Sequence, residues 1–233
     1  MNAIDAGAKS ERPLARALPG VHEVVLSRVA KYVPRGGAVI DMGTGQGALV
    51  AALADQGYQV TGVDIDPADF QLGKEVDHIV CDFNDVAATR DLTRCHKSSF
   101  DVAVGVEVIE HLENPWEYIR ALRDLIHDEG FVIVTSPNPS SWHSRLTFLV
   151  RGEFDDFGSR GQSGHVNPIA PWEFERILTE SGLEICERAI AGEVYSDRSI
   201  KHRIIKNAAK PLRLVQRGTL DGFCQVYVCR RRT

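Results

Sequence analysis

The chain has 233 residues, of which 43% are hydrophobic and 25% charged, with a net charge of −5. That balance excludes a low-complexity or disordered polypeptide, and the length suits one α/β domain with a substantial core. Five cysteines, odd in number and without a Cys-x-x-Cys pair, weigh against both a disulfide framework and a thiolate zinc site. No run approaches the roughly 20 apolar residues of a membrane span. Residues 1–19 are polar and alanine-rich, without the apolar core of a signal peptide, so they are expected to form a flexible leader to a cytoplasmic protein.

Val21 to Val33 carries apolar residues at helical spacing and stops at Pro34-Arg35-Gly36-Gly37. A short strand is expected at Ala38 to Asp41, a helix from Ala48 to Gln56 closed by Gly57, and a second strand from Gln59 to Asp64. His78 to Asp82 forms a third strand. Asp101 to Val106, nearly all apolar, reads as a buried parallel strand. A helix follows from Pro115 to His127, closed by an Asp128-Glu129-Gly130 turn, and then a fifth strand from Phe131 to Thr135. Beyond a helix at Ser141 to Val150, residues 151–171 are rich in glycine and charge and are expected to form a lid. Pro171 to Ser181 is a helix with proline at its start and Gly182 at its end. Leu183 to Ile190 and Gly222 to Cys229 complete seven strand candidates. An alternating series of strands and helices implies a mostly parallel sheet with helices on both faces, here within one domain over 20–233.

The richest stretch is Val39 to Pro67. The first strand ends in Asp41, glycines follow at Gly43, Gly45 and Gly47, and the second strand ends in Asp64. Strand, glycine loop, helix and an acid at the tip of the next strand form the point where open parallel sheets bind nucleoside cofactors. Gly43-x-Gly45-x-x-Ala48 also meets the looser dinucleotide fingerprint, which keeps an NAD-dependent oxidoreductase in view. Asp41 weighs against it, because a carboxylate there would repel a pyrophosphate lying over the loop. S-adenosylmethionine instead brings an ammonium and a sulfonium.

The Asp-x-Gly-x-Gly-x-Gly pattern resembles the first motif of class I S-adenosylmethionine-dependent methyltransferases, and the likeness is specific from Val39 to about Asn138. It implies a Rossmann-like seven-stranded α/β sheet whose last strand is antiparallel. It also implies that Asp41, Gly43, Gly45 and Gly47 surround the amino-acid part of S-adenosylmethionine. Asp64 would take the ribose hydroxyls, and Ile65 would pack on the adenine. Asp82 would accept from the adenine amino group with Phe83 beside the ring, although an acid there also serves as an ordinary turn residue.

After the fourth strand comes Val106-Glu107-Val108-Ile109-Glu110-His111. One helical turn would present Glu107, Glu110 and His111 on one side, and His165 could reach them from the lid. That set resembles the ligands of the ubiquinone-biosynthesis O-methyltransferases and of the enzymes that methylate the 2′-hydroxyl at small-RNA 3′ ends. The likeness implies a divalent ion (magnesium, manganese or zinc) on Glu107, Glu110, His111 and His165, and an acceptor with neighbouring hydroxyls. Two alternatives remain: a metal-free one, in which Glu107 packs near the cofactor and His111 or His165 acts alone as a general base, and a purely structural one; His111, His165 and Glu110 are the catalytic candidates.

Residues 191–233 hold ten Lys and Arg against three acids, while the remainder holds 17 basic and 29 acidic residues. Arg198 to Arg217 reads as a basic amphipathic helical segment, suited to a solvated face or to an anionic, phosphorylated or membrane-borne partner. RNA is the weakest of these, since the chain is acidic and has no aromatic stacking series. The expected activity is methyl transfer to a hydroxyl of a small or lipid-linked molecule such as a quinone precursor, sugar or phenol. A catalytically silent cofactor-binding scaffold is the remaining alternative.

Overall fold

The computed structural model describes residues 13–73, 76–158, 164–192 and 221–232. The basic segment expected at Arg198 to Arg217 lies outside them. Helix α1 (Val21–Tyr32) buries Val21, Val25 and Val29, one residue per turn. The chain then alternates through β1 (Ala38–Met42), α2 (Ala48–Asp55), β2 (Gln59–Asp64), β3 (Asp77–Val80), α3 (Val86–Cys95) and β4 (Phe100–Gly105). A 3-10 turn at Ile109–His111 leads to α4 (Pro115–Leu125), β5 (Ile126–Pro137), α5 (Trp142–Arg151), α6 (Pro171–Glu180), β6 (Leu183–Ala191) and β7 (Cys224–Arg231).

The seven strands form one sheet in the order β3-β2-β1-β4-β5-β7-β6. The first five are parallel, and β7 runs antiparallel to both β5 and β6. Successive residues of a strand point to opposite faces, and two cores follow. Val39, Val102, Val104, Ile133 and Val228 pack with α1 and α2. Ile40, Met42, Ala103, Val132 and Val134 pack with α4 and α6. The chain proceeds outward from β1 through β2 to β3, then returns to place β4 on the other side of β1. The crevice at that reversal is where ligands bind in such sheets.

Two local expectations change. Helix α3 was not anticipated. It buries only Thr89 and Leu92, too narrow an apolar stripe to register as a period, and its start is fixed by Asp85, whose carboxylate accepts from the Ala87 and Ala88 N–H groups at 2.9 and 3.1 Å. Asp128-Glu129-Gly130 does not close a helix at His127. Helix α4 ends at Leu125, and the three residues lie inside a bulged β5, between the Phe100–Ile126 and Val102–Phe131 pairs. The order within the antiparallel edge, which no expectation fixed, is settled by the insertion of the reversed strand β7 between β5 and β6, leaving β6 outermost.

Candidate active site

The C-terminal ends of β1, β2 and β4 open into a cleft of about 460 Å³. At its floor the Gly43 and Thr44 N–H groups both donate to the Val63 carbonyl, at 2.8 and 3.1 Å, folding the loop after β1 against β2. Gly43 has φ 103, and a Cβ there would stand 2.1 Å from a Val108 methyl, so only glycine fits. The Gly45 N–H donates to Asp64 Oδ2 at 2.7 Å, and the Asp66 N–H donates to Oδ1 at 3.3 Å. Asp41 is 2% exposed, and its Oδ1 has no hydrogen-bond partner. Burial, and then the charge of Asp64, push its carboxyl up to about 7.

Asp41, Gly43, Gly45, Asp64, Ile65, Asp82, Phe83 and Glu107 all line this cleft. Gly47 does not; it caps α2 in a left-handed conformation against Leu72. Ile65 is 59% exposed, an apolar side chain left open at the rim. One Asp82 oxygen accepts from the Asn84 N–H at 2.9 Å, so this acid shapes a turn while lining the site.

The described part of the expected leader, from Pro13 on, is held against the cleft. Leu14 to Leu18 line the cleft, the Leu14 N–H donates to Gln46 Oε1 at 3.0 Å, and Arg16 pairs with Asp69 at 2.6 Å. His22, Asp156 and Phe223 also line it without having been anticipated. Only the left-handed demand at Asp156 (φ 67) is a local oddity, and nothing in its sequence neighbourhood announces it.

The helical turn expected to carry Glu107, Glu110 and His111 together does not form. Glu107 adopts φ 54, which no α-helix permits, and the turn begins only at Ile109. Glu107 turns aside to accept from the Thr135 hydroxyl at 3.0 Å and the Cys224 thiol at 2.8 Å. Among the described residues, ligand atoms of Glu110, His111 and His165 lie within 4.8 Å of one another, a group that does not include Glu107.

The described part of the lid is docked at this point. Val166 and Asn167 donate backbone N–H groups to the Glu110 carbonyl at 2.9 and 3.0 Å, and the Asn167 amide bonds the Leu112 carbonyl. Glu110 is wholly buried, and neither carboxylate oxygen has a partner. Burial and then the Glu107 charge hold its carboxyl well above the usual range. Burial, and then His111, lower the His165 pKa, which favours a neutral ring. Asp156 is pushed up to about 7, first by burial and then by Asp155 and Glu107. Two ligands on one ion at 2.0–2.2 Å stand at most about 4.4 Å apart, so the cluster needs only slight closure to share a cation.

The methyltransferase-domain family matches residues 15–188. The chain belongs to this family. Its relatives include ubiquinone biosynthesis O-methyltransferases from Thiobacillus denitrificans, 29% identical with 72% of this chain and 73% of that protein covered, and from Nitrosospira multiformis, 28% identical with 72% of each covered. The fold matches an S-adenosylmethionine-dependent methyltransferase from Archaeoglobus fulgidus with a TM-score of 0.58 at 17% identity, over 90% of this chain and 94% of that one. A second such enzyme, from Mesorhizobium loti, has a TM-score of 0.58 at 13% identity, over 92% and 100%.

The chain is therefore an S-adenosylmethionine-dependent methyltransferase, and the oxidoreductase and silent-scaffold alternatives fall away. The cleft fits that cofactor: a buried Asp41 carboxyl with an unpartnered Oδ1 suits an ammonium, and at Gly45, where a Cβ would meet only Arg16 at 3.7 Å, the backbone is open to close approach. Among the described residues no helix is long and apolar enough to cross a membrane.

Proposed function

We propose that this methyltransferase acts on a hydroxyl oxygen of a small or lipid-linked acceptor carrying neighbouring hydroxyls, such as a quinone precursor, sugar or phenol. The observation that carries this is the Glu110, His111 and His165 cluster, two members of which line the same cleft as Asp41 and Asp64. The O-methyltransferase relatives are named for ubiquinone biosynthesis, which agrees with such an acceptor.

Asp41 binds the cofactor ammonium, and Asp64, steadied by the Gly45 N–H, binds the ribose hydroxyls. Ile65 and Phe83 flank the adenine, Asp82 meets its amino group, and Glu107 closes the cofactor pocket beside the acceptor. Bound S-adenosylmethionine supplies an activated methyl, so the protein's task is to align it with the attacking oxygen. Glu110, His111 and His165 would hold a divalent cation, which would supply a lowered pKa to a hydroxyl beside it. Glu110 suits this role because its buried carboxylate has no other donor. His111 contacts the Gly164 carbonyl through Nδ1 at 3.0 Å, so that nitrogen donates and Nε2 is the one available to a ligand. His165, neutral by burial, can ligate or take the hydroxyl proton. The described parts of 151–171, among them Asp156 and His165, line the acceptor side of the cleft.

The test is methyl transfer from labelled S-adenosylmethionine to a panel of diols, with and without chelator. Activity on catechols that is lost with chelator and restored by manganese or magnesium is expected. Full turnover in excess chelator would discard the cation and leave a histidine base; turnover only on nitrogen or carbon acceptors would overturn O-methylation.

A further inference from the structure

Phe154 to Phe157 forms a turn closed by the Phe157 N–H donating to the Phe154 carbonyl at 3.2 Å, with Asp156 at φ 67. The third position of such a turn favours glycine, because a Cβ is strained there. An aspartate held in that conformation points to a use for its side chain, provided the surroundings enforce it. They do. The neighbouring Asp155 carboxylate is bound by His143 Nδ1 at 2.8 Å, and the Asp155 N–H donates to the buried Ser144 hydroxyl at 3.1 Å. Phe154 stacks on Phe148 with ring centroids 4.6 Å apart, and Phe157 lies 5.4 Å from His165. The turn is thus fastened to α5 on one side and to the histidine cluster on the other.

Asp156 lines the cleft together with Glu107, His111 and His165. Behind them stands Glu110, wholly buried and without a hydrogen-bond partner. Among the described residues no lysine lines the cleft, and the one arginine that does, Arg16, stands over Gly45 at the cofactor end. The described acceptor end therefore offers hydrogen-bond acceptors and no fixed positive charge. A ligand that satisfies it brings donors.

We infer that Asp156 reads the second, non-reacting hydroxyl of the acceptor, and so selects vicinal diols over their monohydroxylated analogues. This rests on the O-methylation reading above. Asp156 is a specificity residue that accepts one hydrogen bond from the substrate; the methyl transfer itself does not pass through it.

The probes are 4-methylcatechol and 4-methylphenol, with the wild type, Asp156→Gly and Asp156→Asn. Wild-type turnover of the catechol tests O-methylation, and the change in ratio between the two acceptors tests the inference. For Asp156→Gly, kcat/KM on the catechol is expected to fall at least tenfold, mainly in KM, with less than a twofold change on the phenol. Asp156→Asn, whose amide oxygen still accepts and which tolerates the left-handed backbone, should recover to within threefold of wild type. Thermal midpoint and manganese affinity should hold in both variants. Equal losses on both acceptors, no loss on either, or a drop in manganese affinity in Asp156→Gly would each overturn the inference while leaving O-methylation standing. A wild type that methylates neither probe would overturn the inference, while O-methylation itself stands or falls on the diol panel.

Discussion

Glu110 Oε1 and His165 Nε2 stand 4.0 Å apart, on side chains 0% and 4% exposed. One comes from the turn after β4 and the other from the loop before α6, and the Val166 and Asn167 N–H bonds to the Glu110 carbonyl bring them together. A buried carboxylate facing a neutral imidazole, with no other donor, is costly unless a proton or a cation joins them.

The cation can be tested without turnover. Calorimetric titration with manganese should show one site, and His165→Gln and Glu110→Gln should each weaken it at least about tenfold, since even outer-shell changes at metal sites cost that much. S-adenosylhomocysteine affinity should stay within a few-fold in both variants. Manganese binding unchanged by either substitution would exclude the cluster as its site.

Asp41 makes cofactor binding depend on pH. Its carboxyl titrates at about 7 in the empty protein, and only the ionised form attracts the ammonium. Affinity for S-adenosylhomocysteine should therefore fall as pH drops below 7 and level off above about 8, with proton release on binding near neutrality. Because the folded pKa is raised above the unfolded value of 3.8, the contribution of this group to stability is present below 3.8 and lost as pH rises through 7. Asp41→Asn should accordingly stabilise the cofactor-free protein at pH 8, by at most about 4 kcal/mol, more than at pH 5, while weakening cofactor binding. Equal stabilisation at both pH values would contradict the ionisation account.

The Tyr118 hydroxyl donates to the Met42 carbonyl at 2.6 Å, tying α4 to the end of β1 where the glycine loop begins. It reaches that carbonyl past Gly105, where a Cβ would stand 2.4 Å from the hydroxyl oxygen. Tyr118→Phe should cost about 1–3 kcal/mol by leaving a buried carbonyl unpaired. Gly105→Ala should also destabilise, and the double variant should lose less than the sum by about 1 kcal/mol, because the displaced oxygen is gone. Strict additivity in urea unfolding would show the two positions to be independent.

The covering N-terminal segment predicts a binding effect with little fold effect. Deleting residues 1–17 removes the Leu14 contact to Gln46 and opens the cleft. The dissociation rate of S-adenosylhomocysteine should rise several-fold while the thermal midpoint of the cofactor-free protein changes little. Arg16→Ala alone should do less, within about fivefold, since an exposed ion pair is worth about 1 kcal/mol or less. Unchanged dissociation kinetics in the truncated protein would refute the cover.

The glycine loop between Asp41 and Gly47, the acid at Asp64 and the order of β1, α2 and β2 were all legible in the chain. Each is dictated by near neighbours: strand ends, a turn that excludes Cβ at Gly43, and an apolar period. That β7 is reversed was implied by the resemblance to class I methyltransferases and not by any local pattern, and its place between β5 and β6 was not legible. Insertion is decided by where the chain goes after β6, which no local pattern encodes. Tertiary structure alone decided that Glu107 leaves the turn it shares in sequence with Glu110, because Thr135 and Cys224 draw its carboxylate away. It also decided that Leu14 to Leu18 lie over the cleft and that Asp156 enters it. Spacing along a helix or strand fixes which residues share a face; convergence of distant segments depends on how loops dock, and docking energy comes from partners the sequence does not mark.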